Sequence, residues 1–187
     1  MADPLEVACS LVGRFQYHFG RIEQKIDHAV IKLLDLDDKA GPIVTGGVDF
    51  ANKLNFVRTY AYKQAGNEQD KQFTEKTCKE VFDINNPVRQ IVIHSFFEPT
   101  PDGGVQFSRT VAKNGRVRVD DQVWDDRKFS EYYSKMTSLV ADLDKLIELI
   151  KPTQQVPFDW YVPWQSYRAS THLSLAAQTA NQAPPQG

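Results

Sequence analysis

Residues 8–33, ACSLVGRFQYHFGRIEQKIDHAVIKL, decide the fold class of this chain. Their apolar members recur in alternating steps of four and three: Ala8, Val12, Phe15, Phe19, Ile22, Ile26, Ala29 and Leu33. This spacing places them on one stripe of a helix, because an α-helix repeats about every 3.6 residues. Asp3 and Pro4 are typical of a helix start, and the polar stretch 37–42 is typical of a helix end. We therefore expect a first helix of about thirty residues, about 45 Å long.

Further helices are expected on both sides of the chain's midpoint. Asp49 and Asn67 are positioned to cap two middle helices, and a loop around Gly46 and Gly47 is expected before them. A last amphipathic helix is expected from Asp125 or Asp126 to Lys151. Between them, 85–87 (Asn-Asn-Pro) should interrupt a helix, and the apolar run 88–97 should continue it through the centre of the molecule.

A β-hairpin interrupts this helical pattern at about residues 104–124. Two runs with alternating apolar residues flank Asn114-Gly115, which is a strong hairpin signal. The predicted fold class is therefore all-α: an up-and-down helical bundle, residues 1–151, with a β-hairpin inserted before the last long helix. Residues 152–187 are predicted to form a C-terminal extension that is first aromatic and then disordered.

Composition excludes several classes of protein. The 187 residues are 41% hydrophobic and 25% charged, which is typical of a globular domain. The net charge of −2 gives no global positive field, so a contact with nucleic acid would have to be local. Cys9 and Cys78 have no metal-ligand spacing and are expected to be reduced and interior. No apolar run is long enough to span a membrane, and the expected location is the cytoplasm.

Arg89 and His94 are the residues best suited to chemistry. They lie in the most apolar stretch of the sequence. A guanidinium binds phosphate in a forked geometry, and an imidazole can carry protons near neutral pH. A structural alternative stays open, in which Arg89 pairs with Glu23, Glu80 or Asp83 and His94 satisfies a backbone carbonyl.

The order of elements and the Arg-x4-His spacing together resemble the HEPN family (the higher eukaryotes and prokaryotes nucleotide-binding domain). The resemblance covers about residues 10–150 and includes the stretch 20–23 (Gly-Arg-Ile-Glu) on the first helix. It implies a helical bundle that dimerises with the motif facing a shared cleft. It also implies that Arg89 and His94 are catalytic. The residues themselves add Gln90, Glu23, Asp27 and Ser95 as supporting candidates, and the alternative for Glu23 and Asp27 is that they are plain surface charges.

Many members of that family are metal-independent ribonucleases of toxin or phage-defence systems. The resemblance thus implies a homodimeric endoribonuclease that uses no metal or other cofactor. Its implied partners are RNA or a nucleotide, and a protein such as a nucleotidyltransferase or an antitoxin. Gln90 replaces the Asn, His or Asp of active members, so the alternative is an inactive RNA-binding or regulatory module.

A physical argument also favours a dimer. Cleavage of RNA through its 2′-hydroxyl needs a base and an acid, and one chain offers one motif histidine. A two-fold axis would supply the second. The long apolar stripes of the first and last helices also indicate more apolar surface than one small bundle needs.

Overall fold

The computed structural model describes residues 3–113 and 116–153, without the side chains of residues 112, 113 and 116. Its helices are α1 (Pro4–Leu34), α2 (Ala40–Gly46), α3 (Phe50–Gln64), α4 (Glu68–Asp83), α5 (Gln90–His94) and α6 (Asp126–Leu149). A wide π-helical turn, Ile84–Arg89, joins α4 to α5. The strands are β1 (Phe96–Pro99), β2 (Val105–Lys113) and β3 (Arg116–Trp124). These elements belong to one unit, Met1–Pro152.

Helix α1 has the expected start and length. The Asp3 carboxylate accepts a hydrogen bond from the backbone N–H of Leu5, and Pro4 is the first helical residue. The helix contains 31 residues and ends before Asp35, whose backbone is left-handed (φ 50°). The predicted first helix is therefore confirmed. Local sequence signals suffice to predict this helix, because the cap and the apolar stripe both lie within the helix or next to it.

Helices α1 and α6 pack against each other along their apolar stripes. The α6 cap is Asp125, which accepts from the backbone N–H of Lys128. The hydroxyl of Tyr133 donates to the carbonyl of Leu11 at 2.6 Å and links the two helices. The large apolar residues of both stripes are buried inside one chain. These two stripes are therefore used within one chain, and the dimer loses the part of its argument that rested on them.

Helices α3 and α4 begin at the predicted caps, Asp49 and Asn67. Helix α2, by contrast, occupies most of the segment that we predicted as a loop. The Asp37 carboxylate accepts from the backbone N–H groups of Lys39 and Ala40, which starts this helix. The prediction was wrong here because a short helix of seven residues has too few positions to show a periodic pattern.

The apolar run 88–97 differs most from its prediction. The chain leaves helical geometry at Asn86 (φ −140°, ψ 109°), and the Asn86–Pro87 peptide bond is cis. Helix α5 then ends at His94, and the residues after it form strand β1. Only Val88 and Val92 of this run are buried, while Phe96 is 69% exposed. The run is therefore neither one helix nor central, because its last residues pair with β2 instead.

The hairpin is one part of a three-stranded antiparallel sheet with the order β1-β2-β3. Val105 pairs with Trp124 and, on its other side, with Pro99. The inner face adds Phe107 and Trp124 to an aromatic core with Phe129. The outer face carries four apolar side chains that are between 60% and 71% exposed: Phe96, Val117, Val119 and Val123.

The fold is mostly helical, with a small sheet before the last helix. This confirms the helical class and the hairpin in their coarser form, but the third strand makes all-α too narrow a description. None of the helices in the described ranges has both the length and the apolar character that a membrane span requires. The hairpin turn 114–115 and the predicted C-terminal extension beyond Thr153 lie outside the described residues.

Candidate functional site

Arg89 is held against α1 by two contacts. Its Nη2 donates to Oε1 of Glu23 at 3.1 Å, and its guanidinium carbon lies 4.8 Å from the centre of the Phe19 ring. The side chain is 24% exposed and that of Glu23 is 36% exposed, so the pair is partly buried. Its Nε is buried and, within the described part of the chain, has no hydrogen-bond partner. The guanidinium therefore has a fixed position.

The choice of Glu23 as partner follows from the neighbouring ion pairs. The two other acids that we considered for Arg89 pair with lysines of their own helix: Glu80 with Lys76 and Asp83 with Lys79. Glu23 lies 66 residues away in sequence and is brought to Arg89 by the packing of the helices. The predicted pairing of Arg89 with an acid is therefore a real contact, made with Glu23. This contact is compatible with a chemical role for Arg89.

The break at Asn86 sets the orientation of Arg89. Helical geometry resumes at Pro87, which places Arg89 in the first turn after the break. The chain is kinked at Asn86, and α5 after it has only five residues. We therefore place no ligand at the start of this short helix, and the guanidinium itself is the cationic group.

His94 is the last residue of α5 and is exposed. Arg89 and His94 are five residues apart, which corresponds to roughly 140° around a helix. The long arginine side chain would have to fold back to meet the imidazole. Instead it turns towards Glu23, and no hydrogen bond between Arg89 and His94 occurs in the described ranges. The two motif residues therefore share a segment but do not contact each other as a pair within one chain.

The supporting candidates divide between two roles. Glu23 contacts Arg89, whereas Asp27 pairs with Lys53 at 2.5 Å. Gln90 is half-buried at the start of α5. The hydroxyl of Ser95 is buried and lacks a hydrogen-bond partner among the described residues. Only Glu23 therefore acts directly on a motif residue in this structure.

A shallow, open depression, which we name the groove, lies on the surface of α1 beside this pair, and α1 alone lines it. It is lined by Gln16, Tyr17, Gly20, Arg21, Glu23, Gln24 and Asp27. Both acids of the ion pairs described above, Glu23 and Asp27, face it. Sequence reasoning included these two acids and named Gly20 only within the stretch 20–23, but it missed Tyr17. The signal that could have found it is the polar side of the same helix, where Tyr17 interrupts a series of charged residues.

The part of α1 next to the groove is locally positive. Burial and the charges of Arg14 and Arg21 together lower the pKa of His18 from its usual value near 6.5. The His18 ring stacks on Tyr133, with 5.2 Å between ring centres. The guanidinium of Arg14 lies over the same Tyr133 ring at 4.6 Å. A chain with nearly balanced charge thus has a small cationic surface on its first helix.

The two cysteines differ in exposure and in reactivity. Burial raises the pKa of the Cys78 thiol to about 12, so this group is unreactive at neutral pH. Cys9 is exposed on α1, which corrects the expectation that both are interior.

Across residues 3–113 and 116–153, no cluster of three or more His, Cys, Asp or Glu side chains is arranged to hold a metal ion.

The site as a whole consists of a fixed arginine, an exposed histidine and a groove along α1. Comparison with protein families, with curated proteins and with solved structures found no match for this chain.

Proposed function

We propose that this chain is a HEPN-like, metal-independent endoribonuclease that acts as a homodimer. The observation that carries the proposal is Arg89, whose partly exposed guanidinium is held by Glu23 and Phe19. A guanidinium held in place suits a phosphate, because its planar fork matches two phosphate oxygens. The exposed imidazole of His94, on the same short segment, is accessible to an RNA strand.

The proposed reaction uses the nucleophile that RNA itself carries. A base removes the proton of the 2′-hydroxyl, the oxygen attacks the neighbouring phosphorus, and an acid protonates the leaving 5′-oxygen. The products are a 2′,3′-cyclic phosphate and a 5′-hydroxyl. Arg89 would stabilise the additional negative charge on the phosphate oxygens in the transition state.

A two-fold dimer would provide the second proton carrier. His94 of one chain cannot be base and acid in the same step, whereas two copies in a shared cleft can take one role each. This division also explains why the site needs no direct Arg89–His94 contact within one chain. The dimer rests on this chemical argument and on the HEPN resemblance, since the apolar stripes of α1 and α6 are used within one chain.

The second candidate is an inactive module of the same fold that binds RNA or a nucleotide or regulates a partner. Two observations favour it: the carboxylate of Glu23 neutralises part of the Arg89 charge, and Gln90 stands where active members carry other residues. A cytoplasmic place in a toxin or defence system, with an antitoxin or nucleotidyltransferase as partner, follows from the resemblance for either candidate.

The experiment that tests the proposal is cleavage of mixed RNA by the full chain in excess EDTA. End-group analysis should find 2′,3′-cyclic phosphate ends. The rate should be bell-shaped in pH with a maximum near neutrality, because two coupled histidines must hold one proton between them. Cleavage that requires magnesium or manganese would contradict the mechanism. No cleavage at high protein concentration, together with retained RNA binding, would favour the inactive module.

A further inference from the structure

Four residues of α1 form a second stripe on the helix, separate from the apolar one. Arg14, Tyr17, His18 and Arg21 are spaced as i, i+3, i+4 and i+7, which places them on one side of an α-helix. We name these four residues the α1 stripe. The side chain of Tyr17 is 65% exposed, and both arginines are exposed. An exposed aromatic ring between two cations is a combination that binds nucleic acid.

The two arginines of the α1 stripe are available for a ligand. Within the described ranges, neither Arg14 nor Arg21 forms a salt bridge, whereas Lys25 on the same helix pairs with Asp144. The lowered pKa of His18 reports the same local positive potential, since both arginines contribute to it. Arg21 and Arg14, whose guanidinium lies over the Tyr133 ring, are two cations without a carboxylate partner among the described residues. They attract an anion that is long enough to reach both.

Tyr17 is supported from one side and open on the other. Its ring meets the edge of the His18 ring, with 5.5 Å between centres, and His18 is itself stacked on Tyr133. Tyr133 is anchored by its hydroxyl, which donates to the Leu11 carbonyl. This series of contacts supports one side of the tyrosine ring. Most of the ring stays in solvent, where a planar ligand can stack on it.

The groove connects the α1 stripe to the proposed site. Tyr17 lines one part of it, and Glu23, which holds Arg89, lines another. Gly20 lies between them, and a Cβ atom at this position would meet no atom within 4 Å. From Tyr17 to Glu23 the helix rises about 9 Å, a distance that a short stretch of one nucleic-acid strand can cover.

We propose that the α1 stripe binds single-stranded RNA, with a base on Tyr17 and phosphates at Arg14 and Arg21, and that the groove directs the strand towards Arg89. A single strand is the ligand because stacking on Tyr17 needs an unstacked base, which a duplex does not offer. This inference deepens the proposed function by naming how the substrate is held, and it rests on that function only for the direction of the strand.

Binding can be measured without cleavage. A fluorescent 2′-O-methyl oligonucleotide keeps the bases and phosphates of RNA but lacks the nucleophilic hydroxyl. With the full chain, Tyr17→Ala should weaken its affinity about tenfold or more, as loss of one stacked base does. Tyr62→Ala is the matched control, since this tyrosine is also exposed but lies on α3. A double-stranded competitor should displace the probe poorly.

Charge and groove variants test the remaining parts. Replacing both arginines, Arg14→Gln with Arg21→Gln, should reduce the slope of log affinity against log salt by about 1.4, the value for two phosphate contacts of a single strand. Arg127→Gln on α6 serves as the control for a lost exposed arginine. Gly20→Leu should occupy the groove and weaken binding while the unfolding midpoint stays equal or rises, because leucine favours a helix more than glycine.

The outcomes separate this inference from the proposed function. Strong binding that depends on Tyr17, in a chain that cleaves no RNA, supports the α1 stripe and contradicts the ribonuclease. Cleavage by a chain whose affinity is unchanged in Tyr17→Ala and in the double arginine variant overturns the α1 stripe and leaves the ribonuclease standing. If these variants change the molecular mass in solution but not the affinity for RNA, the α1 stripe is a contact between copies and the inference is wrong.

Discussion

The ion pair between Arg89 and Glu23 should make a measurable contribution to stability. We consider Arg89→Met, which keeps an unbranched apolar stem but removes the charge. At 3.1 Å and with about a quarter to a third of each side chain exposed, the pair lies between surface and buried cases. Surface pairs contribute up to about 1 kcal/mol, and breaking a buried pair costs about 3–5 kcal/mol. The contact with the Phe19 ring adds about 0.5–1 kcal/mol. We expect a total loss of about 2 kcal/mol.

Urea unfolding with a double-mutant cycle measures this loss. With a denaturant slope of about 2 kcal/mol per molar, Arg89→Met should lower the unfolding midpoint by about 1 M. Glu23→Gln alone should cost about 1 kcal/mol, and the double variant should show a coupling energy of about 1 kcal/mol between the two positions. A coupling energy near zero would refute the reasoning, because it would mean that the contact between the two side chains contributes nothing in solution.

Three further predictions concern other parts of the molecule. The native chain should react with a thiol reagent at Cys9 alone, and Cys78 should react only after denaturation, because burial raises its pKa to about 12; fast reaction of both thiols would contradict the placement of α4. Stability should fall as the pH decreases from about 6.5, since the pKa of His18 is lower in the folded than in the unfolded chain and protonation favours unfolding; His18→Gln should reduce this slope, and an unchanged slope would contradict the environment of His18. Light scattering at micromolar concentration should give twice the chain mass of 21.3 kDa, and the monomer mass would count against the shared site.

Local signals predicted the parts of the fold that local interactions determine. The caps at Asp3, Asp49, Asn67 and Asp125 act within three residues of their helices, so each helix start could be found in the sequence. Strand β1 could not be found in the same way. Its residues continue an apolar run, and only their pairing with β2 about ten residues later makes them a strand.

The candidate site was predictable in its residue types but not in its contacts. Arg89 and its possible partner Glu23 were both recognised, yet the choice among three acids depends on how α1 packs beside α5. The exposure of Cys9 could have been predicted, because it lies about 100° around the helix from the buried Ala8. The lining of the groove could also have been predicted, because all of its residues lie on the polar side of α1.

His94 offers the most direct test of the proposed chemistry. It is exposed, so His94→Ala should leave the urea midpoint unchanged, in contrast to Arg89 variants. A proton carrier contributes about 10²–10⁴-fold to a rate, and the variant should lose RNA cleavage in EDTA by at least about a hundredfold. His28→Ala, an exposed histidine on α1 purified in parallel, is the control and should cleave as the unaltered chain does. Cleavage by His94→Ala within a factor of about two of the unaltered chain would contradict the assignment of His94 as the proton carrier.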